Sequence, residues 1–186
     1  TAKTLDIPPM HIQPLQGRLL ACLTQLIGAK TVLEIGTYVG YSTLWFAGAL
    51  PDDGKIITCD IKEHWTKHAP DAWKKAGQQH KIELILQPAL DTMAQLSEQK
   101  RTFDIIFIDA DKANYLAYYE ASLSLVANKG LILIDNVWWH GEVIDDSNQK
   151  NRTKIMRKLN QTIADDPRVK SVMLPIGDGL TLLQKD

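Results

Sequence analysis

Two hydrophobic periods alternate along this chain, one of about two residues and one of about 3.6 residues. Short apolar runs at Thr31–Ile35, Lys55–Asp60 and Ile82–Leu86 have the length and composition of β-strands. Between these runs, apolar residues recur every three or four positions, as they do on one face of a helix. The regular alternation predicts an α/β fold.

Apolar spacing and breaker residues set the predicted helix bounds. Gly28 suits the C-terminal cap of the first helix, and Pro51 ends the second. The predicted helices are Gln13–Ile27, Tyr41–Leu50, Glu63–Gln79, Leu90–Glu98, Tyr115–Val126 and Asn151–Ala164.

Two further strands, Phe103–Ile108 and Leu131–Ile134, are almost continuously apolar. Such runs are typical of parallel strands that are buried on both faces. The chain then closes with extended runs at Lys170–Ile176 and Leu180–Gln184, joined by a turn with two glycines. The pattern predicts a doubly wound, mostly parallel sheet to which a C-terminal hairpin adds one antiparallel strand.

Composition narrows the class of protein. A length of 186 residues and a formal charge of −1 indicate one domain without a global basic field for nucleic acid or membrane. No apolar run approaches the roughly 20 residues that span a bilayer, and Thr1–Met10 lacks the features of a secretory signal. Cys22 and Cys59 lie among apolar neighbours, which predicts buried, reduced thiols in a cytoplasmic protein.

The loop after the first strand, Glu34–Ser42, reads EIGTYVGYS. A dinucleotide fingerprint would place glycines at positions 36, 38 and 41, but only Gly36 fits. The glycine that approaches a pyrophosphate is replaced by Tyr38, which disfavours NAD. Asp60, at the end of the second strand, is placed to accept hydrogen bonds from ribose hydroxyls. Together, this loop and Asp60 favour a nucleoside ligand such as S-adenosylmethionine. The alternatives are that the loop is a turn without a ligand and that Asp60 only caps the next helix.

Three oxygen ligands follow neighbouring buried strands. Asp109 directly follows the fourth strand, and Asp135 and Asn136 directly follow the fifth. Hard oxygen donors suit Mg²⁺, Mn²⁺ or Ca²⁺ rather than zinc, although Asp and Asn also favour ordinary turns. Lys112 follows Asp109 by about one helical turn, where a nearby cation would disfavour its ammonium form and leave it able to accept a proton.

Several segments resemble the cation-dependent class I O-methyltransferases, the group that contains catechol and caffeoyl-CoA O-methyltransferases. The most specific are FIDADKANY at 107–115 and IDNVWWHGEV at 134–143. The others are LEIGTYVGYSTL at 33–44, LPDDGKIITCDI at 50–61, KKAGQQHKIELILQPAL at 74–90 and DPRVKSVMLPIGDGLTLLQK at 166–185. The resemblance extends over nearly the whole chain from Met10.

This resemblance implies a Rossmann-like fold with seven strands and a single S-adenosylmethionine-dependent methyltransferase domain over residues 1–186. It implies Lys112 as the base and metal binding by Asp109, Asp135 and Asn136. The implied S-adenosylmethionine contacts are Glu34, Gly36, Thr37, Ser42, Asp60, Ala89 and Asp109. Ser42 and Ala89 rest on the resemblance alone.

The resemblance also implies a small phenolic or catechol acceptor and a homodimer. Trp138 and His140 depart from the commoner residues of relatives, so they are expected to reshape the acceptor pocket, although Trp138 and Trp139 also suit a core or interface. Relatives carry additional helical sequence before the segment that matches Met10–Gly17. We therefore expect that an N-terminal helical segment is truncated or absent here.

Other functions remain open at this point. Some relatives methylate hydroxylated uridines of tRNA, and a basic cluster between Lys150 and Lys158 is compatible with that substrate, as well as with a solvated helix face. A non-catalytic nucleoside-binding module is another alternative, but binding alone does not need the oxygen-ligand cluster.

Overall fold

A computed structural model describes residues 8–185, and its centre is a sheet of seven strands. The strands are β1 (Thr31–Ile35), β2 (Lys55–Asp60), β3 (Ile82–Leu86), β4 (Phe103–Ile108), β5 (Val126–Asp135), β6 (Val169–Leu174) and β7 (Leu180–Lys185). The helices are α1 (Pro14–Leu26), α2 (Tyr41–Ala49), α3 (Glu63–Thr66), α4 (Ala69–Lys75), α5 (Ala89–Glu98), α6 (Tyr115–Leu125) and α7 (Asn151–Ala164). Short 3₁₀ helices lie at Gln79–Lys81, Lys112–Asn114 and Trp139–Ile144.

The strand order is β3-β2-β1-β4-β5-β7-β6. The first five strands are parallel, and β7 pairs in the antiparallel sense with both β5 and β6. The order reverses between β1 and β4, so the loops that follow these two strands leave the sheet towards opposite faces. Ligands bind at such a switch point in open α/β sheets. The predicted doubly wound sheet with its antiparallel hairpin strand is confirmed.

Side chains of the central strands alternate between two cores, one on each face of the sheet. On β4, Ile105 and Phe107 pack with the α1–α2 side, whereas Ile106 and Ile108 pack with the α5–α7 side. All four residues are fully buried. A strand that is buried on both faces is apolar at nearly every position, which explains the almost continuous apolar run in the sequence.

One predicted helix is wrong in the structure. Residues 63–79 form α3 and α4 with a break between them, followed by the 3₁₀ turn. Pro70 lies in the first turn of α4, where its missing N–H costs nothing, but it prevents a continuous helix through this point. Smaller differences occur elsewhere, since β5 begins at Val126 rather than Leu131.

The two thiols lie in different environments. Cys59 is buried and its neighbours raise the pKa of its thiol to about 12, mainly through loss of solvation. Cys22 is exposed on α1, so the prediction that it is buried is wrong, because it lies on the helix face opposite Leu20 and Thr24. Both cysteines are free, as predicted.

No helix within residues 8–185 combines the length and apolar character that crossing a bilayer requires. The prediction about a leader in Thr1–Met10 depends mainly on residues 1–7, which lie outside the described range.

Candidate active site

The carboxyl ends of β4 and β5 bring the predicted cation-site residues together. Lys112 Nζ lies 3.3 Å from Asp109 Oδ1 and 2.6 Å from Asn136 Oδ1. The same ammonium group donates to the hydroxyl of Tyr115, one turn further along the chain. Because the Lys112 side chain is only 9% exposed, its charge is compensated by these oxygens rather than by bulk water.

Asp135 is the most deeply buried acid of this group, with 3% of its surface exposed. Burial raises the pKa of its carboxyl to about 7, and the negative charge of Asp109 acts in the same direction. A backbone N–H from Asn136, the Gln16 amide and the Lys112 charge oppose that increase. Asp135 Oδ1 is buried without a hydrogen-bond partner among the described residues. A buried carboxylate oxygen without a partner is costly unless a positive charge compensates it.

These observations test whether the donor set fits a divalent cation. The side chains supply carboxylate oxygens from Asp109 and Asp135 and an amide oxygen from Asn136, all of them hard ligands. The Lys112 ammonium group already lies within hydrogen-bond distance of two of these three side chains, Asp109 and Asn136. No group of three His, Cys, Asp or Glu side chains suited to a metal occurs within residues 8–185, so a site here would need the Asn136 amide as its third ligand. The residues fit Mg²⁺, Mn²⁺ or Ca²⁺, and not zinc.

The loop after β1 approaches the end of β4 very closely. At Gly36 the backbone has φ +100°, and a Cβ there would lie 2.0 Å from the carbonyl oxygen of Asp109. Only glycine allows that approach. Tyr38, in place of the second glycine of a dinucleotide loop, has φ +49° and is also left-handed. The loop ends at Gly40, the N-cap of α2.

Asp60 links this loop to β2. Its Oδ2 accepts hydrogen bonds from the backbone N–H groups of Thr37 (3.1 Å) and Tyr38 (2.9 Å), and its Oδ1 accepts from Lys62 N. The sequence predicted Asp60 as a ligand of ribose hydroxyls, whereas the structure also gives it a role in holding the loop. A carboxylate has about four lone-pair positions, so three internal bonds leave room for a ligand hydroxyl.

Glu34 lies beneath the loop and is fully buried. Its Oε2 accepts hydrogen bonds from the hydroxyls of Thr43 (2.5 Å) and Thr58 (2.6 Å). Burial nevertheless raises the pKa of its carboxyl to about 7, against the lowering effect of these donors and of Ser42. Glu34 Oε1 has no partner among the described residues, so this group supports the loop and keeps one acceptor available.

The ends of β1, β2 and β3 present the remaining predicted cofactor residues along one edge of the sheet. Gly36 and Thr37 follow β1, Asp60 ends β2, and Ala89 opens α5 just after β3. The backbone N–H groups of Thr37 and Tyr38 in this loop are held by Asp60. This arrangement fits a nucleoside without a pyrophosphate.

Comparison with known proteins agrees with this geometry. The family model described as O-methyltransferase matches residues 1–186. The chain belongs to the O-methyltransferase family. It is therefore an S-adenosylmethionine-dependent enzyme, and the resemblance found in the sequence is confirmed.

Individual relatives of this O-methyltransferase are similar over the whole described fold. A probable caffeoyl-CoA O-methyltransferase 1 of Dictyostelium discoideum is 42% identical, with 100% of this chain and 82% of that protein aligned. Caffeoyl-CoA O-methyltransferase 5 of Nicotiana tabacum is 42% identical over 91% of this chain and 75% of its own length. The crystal structure of the Bacillus cereus O-methyltransferase in complex with SAH has a TM-score of 0.91 and 35% identity, covering 99% of this chain and 86% of that chain.

The loop after β5 carries the aromatic residues of this O-methyltransferase under backbone strain. Asn136, Trp139 and His140 all have positive φ, between 48° and 61°. The turn between β6 and β7 holds this loop, because Asp178 accepts a hydrogen bond from His140 N at 2.7 Å. Trp138 and Trp139 are partly buried against the core, so the loop is anchored rather than free.

Sequence reasoning missed three residues that the fold places at the site. Tyr115 contacts Lys112, Asp178 holds the loop after β5, and the Gln16 amide lowers the pKa of the Asp135 carboxyl. Tyr115 had a detectable signal, since it follows Lys112 by three residues on a helical turn. Gln16 and Asp178 are distant along the chain from the strand ends that they support, so no spacing indicates them.

Proposed function

We propose that this enzyme is a divalent-cation-dependent O-methyltransferase of the caffeoyl-CoA or catechol type, with Mg²⁺ as the expected cation. The acceptor would be a hydroxyl of a vicinal diol on an aromatic ring. The observation that supports this most strongly is the convergence of Asp109, Asn136 and the Lys112 ammonium within hydrogen-bond distance, beside the buried Asp135. Binding a nucleoside alone does not require this cluster.

Cofactor binding is proposed for the edge formed by β1, β2 and β3. Asp60 would accept from the ribose hydroxyls, and the backbone around Gly36 and Thr37 would contact the amino-acid part of S-adenosylmethionine. Glu34, Ser42, Ala89 and Asp109 complete the proposed contacts. Glu34 acts mainly through the loop, since it is fully buried and bonded to two threonines.

In the proposed reaction, the bound cation and S-adenosylmethionine supply the activation and the methyl group, and the residues of the chain supply positioning and proton transfer. When bound, the cation lowers the pKa of the acceptor hydroxyl, and S-adenosylmethionine supplies the methyl group and leaves as the thioether S-adenosylhomocysteine. Asp109, Asp135 and Asn136 would orient the diol by holding the cation. Lys112, as the neutral amine, takes the hydroxyl proton at Nζ and becomes the ammonium that the surrounding oxygens stabilise. Tyr115 fixes the position of that nitrogen.

The deciding experiment measures methyl transfer from S-adenosylmethionine to catechol and to caffeoyl-CoA. We expect activity with Mg²⁺, loss of activity with EDTA, and loss in Asp135→Ala. Asp71→Ala serves as the control, because Asp71 is an exposed acid on α4 that belongs to none of the proposed cation or cofactor contacts. Full activity in EDTA or in Asp135→Ala would contradict the proposed cation dependence.

A tRNA acceptor is the alternative, and its support is weaker in the structure than in the sequence. Arg157 donates to the backbone carbonyls of residues 142, 143, 145 and 148, and Lys150 pairs with Glu142 at 2.8 Å. Two of the five basic residues in this cluster are therefore engaged in holding the loop before α7; the five are Lys150, Arg152, Lys154, Arg157 and Lys158. Salt-dependent binding of unmodified tRNA would favour this alternative over the small phenol.

Homodimerisation and a cytoplasmic location stay predictions. Leu15 and Leu26 on α1 are 64% and 75% exposed, so this helix offers apolar surface for a second copy. Light scattering on the purified enzyme measures the mass directly, and a monomeric mass would contradict the dimer.

A further inference from the structure

Thr58, on β2, carries a buried hydroxyl that the proposed chemistry does not use. Its side chain is fully buried, and its register partner on β1 is Glu34. Thr58 Oγ1 donates a hydrogen bond to Glu34 Oε2 at 2.6 Å. The same oxygen lies 2.6 Å from the Oγ1 of Thr37, in the loop after β1. Thr58 therefore links a buried acid of the sheet to the loop that we propose for the cofactor.

The direction of these hydrogen bonds follows from the number of hydrogens available. A threonine hydroxyl has one hydrogen to donate, and Thr58 gives it to Glu34. The hydrogen between the two threonine hydroxyls must then come from Thr37, with Thr58 Oγ1 as the acceptor. Protonation of Glu34 at Oε1, which has no partner among the described residues, leaves this order unchanged because Oε2 still accepts.

The polar groups of Thr37 all have partners inside the protein. Its N–H donates to Asp60 Oδ2 at 3.1 Å, and its carbonyl oxygen accepts from Gly40 N at 2.8 Å. Its hydroxyl donates to Thr58, and the whole residue is 1% exposed. The Thr37 hydroxyl is therefore directed into the protein, so its effect on a bound cofactor is transmitted by the conformation of the loop.

The backbone on both sides of Thr37 explains why the loop needs these attachments. Gly36 has φ +100° and Tyr38 has φ +49°. A left-handed conformation costs free energy at a residue other than glycine, and it persists only where the surroundings impose it. Asp60 holds the backbone N–H groups of the loop, and Thr58 holds the side chain of Thr37.

We infer that Thr58 is a positioning residue for cofactor binding: its hydroxyl accepts the hydrogen bond from Thr37, donates its own hydrogen to Glu34, and thereby keeps the loop after β1 in the conformation that receives S-adenosylmethionine. This inference rests on the proposed cofactor edge formed by β1, β2 and β3. A loop that is already in its binding conformation loses less entropy on binding, and the affinity falls with the fraction of molecules in that conformation.

The test measures binding of S-adenosylmethionine to the full chain by calorimetry, together with the unfolding temperature of each variant. Thr58→Val keeps the branched side chain and removes the hydroxyl, whereas Thr58→Ser keeps the hydroxyl and removes the methyl group. We expect Thr58→Val to bind about 10-fold more weakly, which corresponds to about 1.4 kcal/mol. Thr58→Ser should stay within about twofold of the unmodified enzyme, because its hydroxyl can make both hydrogen bonds.

The order of these two variants separates positioning from packing. If Thr58 only filled space, Thr58→Ser would be the more damaging change, since it alone removes a buried methyl group. We expect the opposite order for affinity, even though Thr58→Ser should unfold at a lower temperature than the unmodified enzyme. Normal affinity in Thr58→Val, or a greater loss in Thr58→Ser, would contradict the inference.

Thr37→Val removes the other end of the same hydrogen bond. It should weaken binding to a similar extent, and the double variant with Thr58→Val should bind no more weakly than either single variant, because both changes break one link. Losses that add together would show that the Thr37 hydroxyl acts independently of Thr58, which would also overturn the inference.

Thr24→Val is the matched control for the loss of a buried threonine hydroxyl. Thr24 is 1% exposed on α1, and its hydroxyl donates to Leu20 O within the same helix. This variant is expected to unfold at a lower temperature and to bind S-adenosylmethionine normally. An equal loss of affinity in Thr24→Val and Thr58→Val would mean that general damage explains both results.

Asp60→Ala distinguishes failure of the inference from failure of the proposed cofactor edge. Asp60 is the proposed ligand of the ribose hydroxyls and also holds this loop. If Asp60→Ala weakens binding and Thr58→Val does not, the role of Thr58 is wrong and the proposed edge stands. If neither variant weakens binding, S-adenosylmethionine binds elsewhere, and the inference fails with the proposed edge.

Discussion

Lys112 Nζ lies 2.6 Å from Asn136 Oδ1, although 24 residues separate them along the chain. The contact joins the end of β4 to the end of β5, which are paired in parallel. It places a positive charge where two proposed cation ligands face each other, and it positions the nitrogen that we propose as the proton acceptor.

Replacing Lys112 tests that last role. Lys112→Met should reduce the turnover number by about 10²–10⁴-fold, because general base catalysis contributes that much. Binding of S-adenosylmethionine should be unchanged, since its proposed contacts lie elsewhere. Lys154→Met, at an exposed position on α7, is the control in the same steady-state assay. A variant at position 112 with near-normal turnover would contradict the assignment of the base.

Asp135→Asn should separate activity from stability. Burial disfavours the Asp135 carboxylate, so a neutral amide removes that cost, and thermal unfolding in EDTA should occur at an equal or higher temperature. Transfer activity with Mg²⁺ should fall by about 100-fold or more, because loss of a direct, charged ligand costs at least as much as loss of a group that only orients one.

Asp104→Asn is expected to have the opposite effects to Asp135→Asn, a loss of stability without a loss of metal dependence. Asp104 accepts hydrogen bonds from Lys30 N and Thr31 N near the amino end of β4, far from the site. The Asp104→Asn variant should have a lower unfolding temperature, and its transfer activity should still depend on the metal. Equal loss of stability in both Asp variants would contradict the view that Asp135 is retained for function.

Glu34 should make stability depend on pH. Burial raises the folded-state pKa of its carboxyl from the ordinary value of 4.5 to about 7. The folded state therefore holds the proton more tightly than the unfolded state, and the free energy of unfolding falls as the pH rises from about 4.5 to about 7, by at most about 1.4 kcal/mol per pH unit.

Glu34→Gln removes this titration. Urea unfolding at pH 5 and pH 7, with EDTA and without S-adenosylmethionine, should show that the variant loses less stability than the unmodified enzyme over this range. Other titrating groups contribute equally to both proteins. Parallel pH profiles would show that Glu34 stays ionised in the folded state.

Gly36→Ala should damage both fold and cofactor binding. The new Cβ would lie 2.0 Å from Asp109 O at φ +100°, so β1 and β4 must separate at the switch point. We expect a loss of about 2 kcal/mol or more and weaker binding of S-adenosylmethionine by calorimetry.

Gly48→Ala is the matched glycine control. Position 48 lies in α2 with nothing within 4 Å of a new Cβ, so this variant should gain about 0.5–1 kcal/mol from helix propensity. If Gly36→Ala were as stable as Gly48→Ala, the close approach of β1 and β4 would not be essential.

Much of the fold follows from local patterns. The bounds of β1, β2, β3, β4 and α7 agree with the apolar runs and periods of the sequence. The bounds predicted for residues 63–79 were wrong, because a polar, Trp-bearing pattern predicted one helix where Pro70 begins a second one. Cys22 was misplaced for a related reason: apolar neighbours along the chain do not say which face of a helix points inwards.

The sequence by itself determined the alternation of strands and helices, the hairpin, and which polar residues end buried strands. Those are local properties, since each depends on neighbours within a few positions. Tertiary structure alone decided the close approach of Gln16 Oε1 to Gly177, the contact of Asp178 with the loop after β5, and the contact of Gly36 with Asp109 O. These contacts join segments that the chain order keeps far apart, and only the pairing of β1 with β4 and the packing of the last hairpin against α1 and the loop after β5 bring them together.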